Sequence, residues 1–422
     1  MKQESVNIQK KPWEIEGVEW REVKVKEFVE EAKSGFALSK QKRRKIDANN
    51  GIPQLRPYNI ANWNKINLDD LTYIPKSMTG IEEYFIKNKE VLFNNTNSIE
   101  LVGRAAVYRE LNGNYTYSNH ITKIRVKEQI IIPDFLSWYL NYLWSKGFFY
   151  LKATKWIGQA GISNKKLLSI KFPLPFRNGK PDLETQKKIV EYIETNFSRI
   201  DSILEKKKRI LAQLDELWKS TLENAFKPKE GEEWREVRLK EVAEIIMGQS
   251  PPSSSYNKEG KGIMFLQGNK EFGELYPKPI MFTTDPKKLS QKNDILISVR
   301  APVGEVNIAD KEYCIGRGLA AIRFKGEPKY LFYLFLLTKE KIEELGKRGT
   351  TFRAVTKNHL SKIKIPLLYR NGKPNIERQK EIADYLDMAY EKLKIIKEKV
   401  KFQISQLDEM KESILNEVFS QY

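Results

Sequence analysis

The sequence predicts an α+β chain made of two related halves. Each half is a head domain of mixed α/β structure followed by one long helix, and the two helices pack as an antiparallel coiled coil. Three observations predict this. Residues 172–226 recur as residues 365–419, with 23 of the 55 aligned positions identical. Gly17, Trp20, Arg21 and Glu22 return as Gly231, Trp234, Arg235 and Glu236, so the repeat also covers the start of each half. Both copies end in a long stretch whose apolar residues are spaced by threes and fours, as in a coiled-coil seam. A repeat of roughly 200 residues is too long for a solenoid unit and implies two whole modules in tandem, an internal pseudo-twofold repeat.

In chain order, the boundaries expected are a first head at 1–165, a first helical region at 166–228, a second head at 229–358 and a second helical region at 359–422. Each half opens with a strand-like Trp-Arg-Glu-Val segment. Short apolar runs at 91–93, 123–126, 263–266, 295–299 and 320–324 predict strands. Loops rich in Gly, Pro and Ser separate them, notably at 248–256 and 300–304. Pro133 and Pro328 each suit the first turn of an amphipathic helix. Phe135, Leu136, Tyr139, Leu140 and Leu143 form the buried face of one; Tyr330, Leu331, Leu334 and Phe335 form that of the other. The middles of the halves differ while their ends are alike, which suggests a common scaffold carrying two different surfaces.

Asp182 and Asn375 are the expected N-caps of the long helices, with Glu184 and Glu377 in the first turns, where the helix dipole favours them. The predicted seam takes Ile200, Ile203, Ile210, Leu214 and Leu217 from the first helix. Leu393, Ile396, Val400, Leu407 and Met410 come from the second. The first helix leads from head one to head two and the second starts at head two, so a paired second helix must run back. The expected assembly is a caliper, with one head inverted relative to the other, suited to a duplex whose own strands are antiparallel.

The chain has 422 residues, a formal net charge of +19 and a pI near 9.5. Such an excess implies a polyanionic partner, nucleic acid first. A single cysteine, Cys314, excludes an internal disulfide, and the two histidines, His120 and His359, have no partner at metal-ligand spacing. No glycine pattern for a nucleotide phosphate is present, and Gly158-Gln159-Ala160-Gly161 is taken as a turn. No metal site, catalytic residue or cofactor is expected in this chain. The first residues lack an apolar signal core and no run is long enough to cross a bilayer, so a cytoplasmic location is expected.

Lys40, Lys42, Arg43 and Arg44 form a dense basic run suited to phosphate contact. In the first head, Arg56, Asn59, Asn94, Asn97 and Arg104 follow strands. In the second, Gln249, Ser250, Gln267, Asn269, Arg300, Arg317, Arg348 and Arg353 occupy comparable loops. Asn, Gln and Arg can pair bidentately with adenine and guanine edges, which makes these residues candidates for DNA binding.

With these residues in view, the chain resembles the specificity subunits of type I restriction-modification systems. The resemblance rests on the Trp start of each head, on EVLFNNTNS at 90–98 and DILISVRAPVGEVNI at 294–308, on GRGLAAI at 316–322, and on the twin RNGKP segments from Arg177 and Arg370. One departure is Asn95, where the family's usual residue is Arg. The resemblance implies two target recognition domains reading the halves of a split, asymmetric double-stranded DNA site, with the helices as the ruler between them. It also implies docking of two methyltransferase subunits that bind S-adenosylmethionine. Restriction subunits using ATP and magnesium would complete the complex, and this chain would hold no active site.

Overall fold

The computed structural model describes residues 11, 13–38, 46–109, 113–345, 347–348, 351–352 and 354–420. The basic run at 39–45 lies outside the described residues, as does Arg353. The chain divides into two compact units: residues 1–206 with 403–422, and residues 207–402.

In the first unit, the strand Glu19–Lys24 pairs antiparallel with Lys171–Arg177, with Trp20 opposite Pro175. A four-stranded sheet follows in the order 29–34, 121–126, 91–94, 105–107. Its inner face is apolar because Val91, Phe93, Ile124 and Val126 alternate inward, the period-two pattern of a strand covered on that side. Helix α1, Pro133–Ser145, starts at its proline and covers this face with Phe135, Leu136 and Leu140. Helix α2, Leu183–Ala225, begins just after Asp182.

The second unit repeats this plan. Glu233–Arg238 pairs with Lys364–Arg370, and a four-stranded sheet runs in the matching order 243–247, 319–324, 295–298, 306–308. Helix α3, Pro328–Leu345, buries Tyr330, Leu331, Leu334 and Phe335, as its proline-led stripe predicts. Helix α4 spans Ile376–Phe419. Each four-stranded sheet is accompanied by a second sheet containing a parallel pair, three-stranded with Gly51–Leu55 beside Thr116–Tyr117 in one unit and five-stranded with Ile263–Leu266 beside Tyr313–Ile315 in the other.

Both predicted N-caps form. The Thr185 amide donates to Asp182 Oδ1 at 3.1 Å and the Arg378 amide donates to Asn375 Oδ1 at 3.1 Å. Arg177 Nε and the Thr185 hydroxyl both donate to Asp182 Oδ2 at 2.8 Å. Burial pushes the Asp182 carboxyl up, but these donors outweigh it and its pKa lies below the ordinary carboxylate value. A depressed folded-state pKa stabilises the fold above the unfolded value of about 3.9 and loses that contribution as pH falls through the folded one. Asp182→Asn is therefore expected to lower Tm at neutral pH and to close the gap with the wild type as melts are taken from about pH 5 toward pH 3. A gap that stays constant with pH would show that the ionised cap contributes nothing.

The long helices pair antiparallel within each unit. In the first, Asp201 accepts from Lys411 Nζ at 2.5 Å, while Tyr192, nine positions earlier, donates to Glu417 further along α4. In the second, Lys397 donates to Asp215 at 2.5 Å and the Trp218 ring lies 5.1 Å from that of Tyr390. The seam is narrower than the sequence predicts. Ile200, Leu393, Val400 and Leu407 are buried and Ile210 and Leu214 half-buried, whereas Ile203, Leu217, Ile396 and Met410 are exposed. Two helices bury one stripe along their line of contact, so a third apolar position per heptad is left facing outward.

The helix ends matter as much as the seam. Ile189, Ile193 and Phe197 at the start of α2 and Leu415, Val418 and Phe419 at the end of α4 enter one core. Leu222 and Phe226 near the end of α2 and Ile382 and Leu386 at the start of α4 enter the other. Each head is thus completed by the beginning of one long helix and the end of the other.

Candidate nucleic-acid interface

The second unit gathers five of its predicted residues. Ser250, Gln267, Asn269, Arg300 and Arg317 line a single cleft of about 320 Å³, together with Lys270 and Glu271. Glycines bring these loops together. A Cβ on Gly248 would stand 2.1 Å from the Gly316 carbonyl oxygen, and Cβ atoms on Gly316 and Gly318 would stand 3.0 and 2.9 Å from that of Gln267. The Gly-Arg-Gly segment therefore lies flat against the end of the Ile263–Leu266 strand and sets Arg317 beside Gln267. The Arg317 amide donates to Ser250 Oγ at 3.2 Å.

Arg300 leaves the Ile295–Ser298 strand on a loop folded around Ser298. That hydroxyl donates to the Pro302 carbonyl at 2.7 Å and accepts from the Glu305 amide at 2.9 Å. Arg300, Gln267 and Arg317 are exposed. The one carboxylate in the cleft, Glu271, accepts from the Gly268 amide at 3.1 Å. Arg300, Arg317 and Lys270 therefore dominate the local field, and the cleft suits an anion with base or phosphate acceptors. Gln249 is exposed at its margin, its amide donating to the Ile315 carbonyl at 3.0 Å. Arg348 lies on a hairpin formed by Lys347–Arg348 and Thr351–Phe352.

The first unit treats its predicted residues less evenly. Arg56 Nη1 donates to Gln54 Oε1 at 3.2 Å. His120 is near enough that burial and the Arg56 charge hold its imidazole below its ordinary pKa. Asn97 is half-buried in a short strand paired with Ala160. Asn59 and Asn94 are buried. The Asn59 amide donates to the carbonyls of Asn67 and Asp70, and that of Asn94 donates to the Leu101 carbonyl. In this structure both hold loop shape. Arg104 is half-buried with its guanidinium over the Trp144 ring at 4.7 Å. Asn95 is buried, donating to the Asn119 carbonyl at 3.2 Å and to Thr122 Oγ1 at 3.0 Å.

Among the described residues no group of His, Cys, Asp and Glu is arranged to hold a metal ion, and no helix is long and apolar enough to cross a membrane. What sequence reasoning passed over is a projecting hairpin in the first unit, Thr154–Trp156 with Gln159–Gly161, containing the turn at Gly158. Its signal was present: no Asp or Glu occurs between Phe135 and Pro181.

Residues 17–214 and 231–406 both match the family described as the type I restriction modification DNA specificity domain. The chain belongs to the type I restriction-modification specificity subunits. A specificity subunit of the type I restriction enzyme MjaX from Methanocaldococcus jannaschii is 36% identical over 416 residues, covering 94% of this chain and 92% of that protein. Among solved structures, a chain from work on complex assembly and conformational transition of the type I R-M system has a TM-score of 0.76. It is 28% identical and covers 95% of this chain and 97% of its own. The HsdS subunit of Thermoanaerobacter tengcongensis has a TM-score of 0.54 at 26% identity, covering 95% of this chain and 96% of its own. The doubled α+β heads and the antiparallel helices are thus the architecture of specificity subunits, and the predicted fold class stands.

Proposed function

We propose that this chain recognises a split, asymmetric double-stranded DNA site without an active site of its own, one head reading each half. The observation that carries this is the arginine-rich cleft holding Arg300, Arg317 and Gln267, in a chain whose other head presents different side chains on the same scaffold. Different side chains on matching strands imply different bases at the two ends of the site. The helical pair sets the unread gap and docks two methyltransferase subunits, and a restriction subunit joins that complex. S-adenosylmethionine, ATP and magnesium act on those partners.

The test is selection from random duplexes with the partner-bound complex, followed by sequencing. A bipartite consensus with two unlike halves is expected; enrichment of no sequence would sink the reading. Arg300→Ala should weaken the selected duplex by about 10–100-fold and relax the consensus in one half only. Lys42→Glu should weaken all duplexes alike and lower the salt slope by about 1. An unchanged salt slope would place the 39–45 run off the DNA.

Partner docking has a separate test. Leu217 and Ile396 are exposed on the helices of the second unit, and such patches serve as contact surface for another chain. Leu217→Asp with Ile396→Asp should abolish co-purification of the methyltransferase subunit while leaving Tm within a few degrees. Undiminished capture would put the docking surface elsewhere.

A further inference from the structure

The hairpin at residues 154–161 presents an apolar tip where solvent-facing polar residues are the rule. Ile157 is 105% exposed and Trp156 59%, and Leu151 at its base is 78% exposed. The tip is held stiffly. Thr154, Lys155 and Trp156 pair with Gly161, Ala160 and Gln159, and Ala160 and Gly161 pair in turn with Asn97 and Thr96, so the hairpin is one edge of a three-stranded sheet. Gly158 turns the chain at φ +75°, a left-handed conformation that suits glycine. Gly161 leaves room for the Trp156 ring, since a Cβ there would meet Trp156 Cζ3 at 2.9 Å. Lys166 Nζ ties the base by donating to the Lys152 carbonyl and to Thr154 Oγ1, at 2.9 and 3.1 Å.

The surroundings say what the tip meets. Residues 135–181 contain eight Lys and Arg and no Asp or Glu. Lys155 Nζ sits 4.3 Å over the Tyr150 ring beside the tip. A rigid apolar point inside a wholly basic segment fits a partner with an anionic outside and an apolar inside. Duplex DNA has phosphates outside and stacked bases within, and exposed Ile and Leu side chains are known to wedge between its base steps. The second unit provides an internal comparison. Residues 345–376 likewise hold eight Lys and Arg with no Asp or Glu, and Lys347–Arg348 pairs with Thr351–Phe352 in the matching hairpin. In the sequence alignment of the two halves, Arg348 stands where Lys155 does, but Gly349 and Thr350 replace Trp156 and Ile157.

We propose that Ile157, backed by Trp156, is driven between base pairs in the half-site held by the first unit, and that the second unit, with Gly349 and Thr350 at the aligned positions, does not wedge its half-site in this way. This rests on the DNA-recognition function proposed above and adds that the two halves of the site are deformed unequally. Sequence selectivity in the first half then comes partly from how easily a base step opens, with flexible pyrimidine–purine steps favoured.

The experiment places 2-aminopurine, which brightens on unstacking, at successive positions of the selected duplex bound by the full chain in its partner complex. Brightening is expected at one step in one half, and to be lost in Ile157→Ala and in Ile157→Lys. The difference between variant and wild type cancels any unstacking by the partners. The side chain is fully exposed, so neither change removes core packing; binding of the selected duplex should persist with about a tenfold loss. Brightening that survives both substitutions, or that is equal in the two halves, overturns the wedge while DNA recognition stands. Failure to select any duplex overturns both. Capture of the wild type but not Ile157→Lys by phosphatidylserine vesicles, with no brightening on DNA, would reassign the tip to a membrane surface.

Discussion

Removing one heptad from each long helix, residues 208–214 of α2 together with 398–404 of α4, should shorten the gap in the selected DNA site and leave the two half-sites unchanged. Seven helical residues span about 10 Å, or about three base pairs of duplex. Both helices must be cut. A heptad restores the apolar stripe nearly in phase, and the Asp215–Lys397 and Asp201–Lys411 pairs on either side of the cuts remain in register. Cutting one helix alone would slide these pairs out of register and expose the seam, so that variant should be unstable. Repeating the duplex selection with the doubly shortened chain is the measurement. Recovery of the original gap would show that something other than helix length sets the spacing.

Phe419→Ala is expected to cost about 3–5 kcal/mol, although the residue is nearly the last of the chain. Its ring is 2% exposed and lies 5.7, 5.3 and 5.5 Å from the rings of Phe135, Tyr139 and Tyr142. Loss of a buried aromatic at this point leaves a cavity between α4 and α1. Denaturant unfolding followed by hydrogen exchange should show protection lost first in residues 121–145, within the first unit. Phe226→Ala is the matching control, because Phe226 packs 5.1 Å from Tyr330 and should loosen the second unit instead. An unchanged midpoint for Phe419→Ala, or a loss of protection confined to the second unit, would contradict the shared-core arrangement.

Much of the fold was legible because it depends on local rules. Pro133 and Pro328 start their helices, Asp182 and Asn375 cap theirs, and the paired Trp-Arg-Glu-Val segments form strands; each follows from backbone chemistry within a few residues. The candidate site was legible only in part. Ser250, Gln267, Asn269, Arg300 and Arg317 were recognisable as a type, but their meeting depends on close approaches at Gly248, Gly316 and Gly318, which are contacts between distant segments. Asn59 and Asn94 look the same in sequence as a base-reading asparagine. Their burial, with amides spent on loop carbonyls, is set by neighbours far along the chain. The Trp156–Ile157 tip was missed because apolar residues usually point inward, and no periodicity marks an apolar residue that points out.

The repeat, the basic excess and the two long amphipathic stretches are properties of residue order, and they sufficed to give two modules, a polyanionic partner and a helical pair. Tertiary structure alone decided which side of each helix is covered, leaving Ile203, Leu217, Ile396 and Met410 exposed beside a narrower seam. It also decided that the end of α4 closes the core of the first unit. The physical reason is that periodicity records how many positions are apolar, whereas burial depends on which surface, often hundreds of residues away, comes to lie against them.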